Sequence, residues 1–224
     1  MRAKELVPIL AEIYGVPFET AFMIDRSLAE GGLRAKGRGR SLPEMTRPEA
    51  LTFLLACMVT QKATKAGDEV QPWLAAEGWI NDQDPEAPDE LTDEYLTEEV
   101  LEQPVYARNF HMGKIIERLG LKEYQGRGPF GIKMFDFLLA ACDVMEASAV
   151  SGEIFKFEIS LSHGWAAFSV NDAFYGGYSE ARFHTDEGAA NSAAYETQIS
   201  KSAVIYGDAL QALVFRTQAQ ELNP

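Results

Sequence analysis

The sequence predicts an α+β protein with a helical N-terminal helix-turn-helix-like head, central helices, and a small C-terminal antiparallel sheet with a closing helix. Two observations carry this. Apolar residues recur at helical spacing through the first two thirds of the chain, and beyond Gly152 they alternate as in a half-buried strand. Helices first and strands last describe an α+β arrangement.

The elements follow in order. Residues 3–14 carry Leu6, Ile9, Leu10 and Ile13 on one stripe, as a helix with one buried face requires. Gly15 stops that helix and Pro17 opens the next, at 17–30. The second helix is expected to turn Phe18, Phe22 and Leu28 toward a core, with Ala21 between them. Gly31 and Gly32 end it through a left-handed cap. The stretch 33–43, rich in Gly and cations, has no helical period. Thr46 caps a third helix, with Pro48 and Glu49 in its first turn. Its body, 50–59, is nearly all apolar, which predicts burial on most sides. A shorter helical stretch is predicted near 70–79.

Residues 66–107 contain no Lys or Arg and thirteen Asp or Glu. Pro85 and Pro88 predict a loop at about 80–90, and a short acidic helix follows at 91–102. An amphipathic helix is expected at 106–119, a Gly-rich turn at 126–131, and a strongly apolar helix at 133–147. Ile154, Phe155, Phe157, Ile159 and Leu161 mark a strand. His163 and Gly164 supply a turn into a partner strand at 165–170. A further strand is expected near 197–206 and a closing helix near 207–219. The predicted organisation is therefore a head at 1–65, an acidic linker with central helices at 66–150, and a β-rich region with the final helix at 151–224.

Composition bounds the function classes. The chain has 224 residues, 46% of them hydrophobic, enough to form a substantial core. No apolar run reaches the roughly 18–20 residues that span a bilayer. The first residues show no apolar signal core, so the expectation is a cytoplasmic protein without membrane contact. Cys57 and Cys142 lie in apolar helical patterns and read as buried free thiols. The net charge of −14 opposes nucleic-acid binding over the whole surface. The charge is uneven, however. Residues 1–50 hold eight Lys or Arg against seven acids, a net of +1, which leaves −15 for the rest. This asymmetry suggests a head and a body with different partners.

The head has a recognisable pattern. It consists of LAEIYGV closing the first helix, the turn Gly15, Val16 and Pro17, FETAFMIDRSLAEGGL as the second helix, and Gly37, Arg38 and Gly39 beyond it. Segment 3–40 in this form resembles the DNA-binding core of winged helix-turn-helix regulators. That resemblance implies that helix 17–30 enters a major groove and that the glycine-containing loop touches the backbone or minor groove. It departs from the family in that Ser41, Leu42 and Pro43 lead into a helix rather than an apolar strand. The residue chemistry points the same way. Arg34, Lys36, Arg38 and Arg40 carry no acid between them, and the glycines allow close approach to phosphate. Glu19, Thr20 and Arg26 are polar positions on the helix that could face DNA, and Arg47 is a further candidate contact. Four cations each neutralising a phosphate predict a log–log salt slope of about −3.6. The MTRPEA run at 45–50 and the basic loop are also similar to uncharacterised bacterial prophage-encoded proteins, which implies a role in phage regulation or DNA packaging.

Other signals are weaker. The run 126–131 matches GxGxxG, but a charged helical stretch precedes it instead of a buried strand, and Pro129 removes an N–H. Asp82, Asp84, Glu86, Glu90 and Asp93 approach calcium-loop spacing but have Ala87 where the turn needs Gly. His163, His184, Asp172 and Asp186 could meet across the sheet, though nothing fixes a ligand geometry. Trp73, Trp79 and Trp165 are expected in the core or at an interface rather than as stacking platforms. There is no GxSxG, HExxH or Walker motif. The sequence therefore leads to no catalytic residue, cofactor or metal. It supports a DNA-binding regulatory or packaging-associated protein that binds double-stranded DNA and forms homo-oligomers through its body. The rival reading is an adaptor or inhibitor whose acidic face binds a basic protein partner.

Overall fold

A computed structural model describes residues 2–36, 44–81, 110–121, 130–148, 154–172, 177–186 and 202–218. The chain forms α1 (Ala3–Ile13), α2 (Phe18–Glu30) and α3 (Arg47–Val59), followed by a 3-10 turn and the short helices α4 (Ala66–Glu69) and α5 (Gln71–Leu74). Strand β1 (Glu77–Asn81), helix α6 (Phe110–Arg118), strand β2 (Phe130–Lys133) and helix α7 (Met134–Ser148) come next. Strands β3 (Phe155–Ser160), β4 (Trp165–Asp172), β5 (Gly177–His184) and β6 (Ser202–Tyr206) precede the last helix, α8 (Gly207–Gln218). The class is α+β, as the sequence predicts. Among the described residues, no helix is long and apolar enough to cross a membrane.

All strand pairs are antiparallel, in the order β2-β1-β5-β4-β3-β6. Alternation puts Phe155, Phe157, Ile159, Phe168, Ala181 and Phe183 on the inner face, all buried. Helix α7 fills that face through Phe137, whose ring lies 5.3 Å from those of both Phe168 and Phe183. Helix α8 packs on α7, and the N-terminal helices α1 and α3 pack in turn on α8. One hydrophobic cluster runs without a break from Leu6 in α1 to Leu213 in α8.

The structure changes several sequence expectations. The segment 66–150 supplies two strands as well as helices. The helix expected at 70–79 stops at Leu74, and Trp79 lies on β1. Here tertiary pairing with β2 and β5 overrides local pattern. Gly131, at the end of the expected turn, sits inside β2 with φ +73. Ile80 and Asn81 belong to β1 rather than to a loop, and β5 was not expected at all. The acidic helix at 91–102 and the acidic positions 82–93 lie outside the described residues.

Candidate functional site

The head is built on α1 and α2. Buried Ala3, Leu6, Val7, Leu10 and Ala11 form the inward stripe of α1. The helix ends where Gly15 adopts φ +65 and the Val16 N–H donates to the Ala11 carbonyl at 2.9 Å. A side chain at Gly15 would be strained in this left-handed conformation. Pro17 then precedes α2, as its ring-fixed φ suits a helix start. Ala21, Ile24 and Leu28 face inward. Ser27 fastens α2 to the following segment: its hydroxyl accepts from the Gly67 N–H at 3.0 Å and donates to the Thr64 carbonyl at 3.3 Å.

The outer face of α2 corrects the expected core positions. Phe18, Phe22 and Met23 are 52%, 40% and 44% exposed. The two phenyl rings meet edge to face with centroids 4.7 Å apart. The reason is rotational. Phe18 and Phe22 share a helical face with Arg26 and Glu30, opposite the stripe of Ala21, Ile24 and Leu28.

The described candidate contacts differ in their surroundings. Glu19 is exposed and Thr20 half-buried on α2. Arg26 stands fully in solvent and pairs with Glu30 at 2.8 Å. Arg34 turns back on α2: its Nη2 donates to Asp25 Oδ2 at 2.9 Å, and its Nε lies 2.6 Å from Oδ1. The two side chains are only 12% and 10% exposed. Burial pushes the Asp25 carboxyl above its usual range, and the Arg34 guanidinium pulls it back. Lys36 is exposed, with its ammonium 3.5 Å from the Glu30 carbonyl at the α2 C-terminus. Arg38 and Arg40 lie outside the described residues.

Arg47 faces the body. It stands at the start of α3, where Thr46 and Glu49 form the expected capping box. Its Nη1 donates to Asp143 at 2.8 Å, its Nη2 to Glu146 at 2.5 Å and its Nε to the Thr217 hydroxyl at 3.4 Å. Arg34 and Arg47 thus satisfy carboxylates of their own chain, and neither presents a free guanidinium for phosphate.

The C-terminal histidines have different neighbours. His163 Nδ1 lies 2.8 Å from the Ser160 hydroxyl, whereas His184 stacks on Trp79 with centroids 5.0 Å apart. The Asp172 side chain lies outside the described residues. No group of three metal-binding side chains occurs among the described residues. Trp73 is buried in the core, as expected, but Trp79 and Trp165 line a concavity on the outer sheet face. Burial pushes the thiols of Cys57 and Cys142 up to about 12, which keeps both protonated and poorly nucleophilic at neutral pH.

Comparison with protein-family models, with curated proteins and with solved structures returned no match.

Proposed function

We propose that this protein is a binding module that engages a protein partner through the outer face of α2. One observation carries the reading: Phe18 and Phe22 form an exposed aromatic pair on that face, with Met23, next to Phe22 in the chain, exposed as well. Large aromatic side chains left in water on a helix are characteristic of interaction surfaces, where each anchor commonly contributes about 2 kcal/mol or more. The net charge of −14 favours a partner with an apolar pocket and a basic rim. The test compares the wild type with Phe18→Ser/Phe22→Ser by crosslinking in the native extract and by denaturation. A specific crosslinked protein is expected with the wild type and lost in the variant, at unchanged stability. Equal crosslinking by both proteins would overturn the reading.

Exposed Lys36 at the end of α2 supports a second reading, in which this helix and segment 34–40 contact duplex DNA. With Arg34 committed to Asp25, three cations of that segment remain, and the log–log salt slope becomes about −2.7. A gel shift at low salt that Arg38→Ala/Arg40→Ala abolishes would establish this reading. No shift with the wild type would exclude it.

A further inference from the structure

The outer face of the sheet carries a site of different chemistry. Strand register aligns Glu77, His184 and Trp165 in one row, Trp79, Arg182 and Ala167 in the next, and Asn81, Glu180 and Ser169 in the third. Trp79, Trp165, Ala167, Glu180, Arg182 and His184 line a cavity of about 430 Å³, within the range of small-ligand sites. Buried Ala167, small where its neighbours are large, leaves room at its floor. The Trp79 and His184 rings are nearly parallel, with 10° between their planes. Glu180 is held by an ion pair with Arg182, and its side chain is only 11% exposed.

The walls and the polar groups are arranged differently. The tryptophans bring flat apolar surface from β1 and β4, on either side of β5. Among the described residues, the ionisable groups of the lining come from β5, at alternate positions 180, 182 and 184, and so lie along one line. A sugar ring carries hydroxyls around its whole rim and would leave most of them unmatched by one row. A flat nitrogen heterocycle has its donors and acceptors in the ring plane, where one edge can meet one row. Along that row a carboxylate offers acceptors beside a guanidinium that offers donors. Guanine carries such groups side by side around its perimeter: N1–H and N2–H donors for a carboxylate on one edge, then O6 and N7 acceptors for an arginine on the next.

We infer that the outer sheet face binds a guanine-type heterocycle, stacked against the tryptophans and read at its edge by Glu180 and Arg182. This site is independent of the α2 surface, and neither proposal requires the other.

The test is tryptophan fluorescence of the full chain during titration with guanosine, adenosine, cytidine and methyl glucoside. Saturable quenching by guanosine is expected, with affinity reduced about tenfold or more in Glu180→Gln and in Arg182→Met. Arg182 is more than half exposed, so its variant keeps the test valid if Glu180→Gln fails to fold. The inference is overturned if guanosine gives no saturable response, if methyl glucoside binds better, or if a folded Arg182→Met binds guanosine as the wild type does.

Discussion

Arg34 shows how one side chain changes meaning once its partner is known. In the sequence it is the first of four cations in a glycine-rich stretch. In the fold it closes a mostly buried ion pair with Asp25. Arg34→Met leaves a carboxylate without its partner and is expected to cost about 3 kcal/mol in urea denaturation, while Asp25→Leu/Arg34→Met recovers most of that loss. The single variant should also regain stability relative to wild type as pH falls toward 3.8, the ordinary value for this group. Burial raises the folded-state pKa, so the folded variant binds the proton more tightly than the unfolded chain, and acid relieves the unpaired charge. The cysteines make a simpler case. With thiols pushed up to about 12, Cys57 and Cys142 should resist iodoacetamide in the native protein and react on unfolding, as mass spectrometry can read. The burial of Cys142 was legible from its apolar helical surroundings, whereas Cys57, expected to be buried as well, is half-buried. The fate of Arg34 was not legible, because charge counting along a segment ignores which face of the preceding helix carries an acid. Asp25 sits beside Ile24 and Leu28 on the inward side of α2, a position where a carboxylate requires a partner.

Among the elements, those with strong periodicity were read well and those made by pairing were not. The alternation of large apolar residues announced β3, and the unbroken apolar body announced α3. In β5 the inward positions include Ser179 and Ala181, too small to give a hydrophobic signal, between outward Glu180 and Arg182. The strand is therefore specified by its neighbours. The ligand-type cavity was missed for the same reason, since its residues meet only after β1, β5 and β4 align. Gly78 on β1 exposes this dependence. A Cβ there would lie 1.8 Å from the Arg182 carbonyl oxygen. Gly78→Ala is expected to break the β1–β5 pairing and cost more than about 2 kcal/mol by thermal denaturation. Phe18→Ser/Phe22→Ser, on a face that already meets water, should leave the midpoint within the error of measurement.

At the scale of the whole molecule, the predicted head packs closely on the body. Helix α3 is buried along most of its length and packs on α8, and Arg47 reaches Asp143 and Glu146 on α7. A fragment comprising residues 1–65 would expose the apolar surface that α8 covers. Its far-UV circular dichroism is expected to show much less helix than α1, α2 and α3 have in the full chain, whereas native helicity in the fragment would mean that the head folds alone. The place of β1 in the sheet has a consequence for how the chain is made. Asn81 pairs with Glu180, and Glu77 with His184. During synthesis β1 therefore emerges long before its principal neighbour, and its pairing waits until Gly177–His184 have been made. Such distant pairing slows folding, and until β5 arrives the nascent polypeptide carries Trp79 and Ile80 unsheltered, the interval in which a chaperone has most to do.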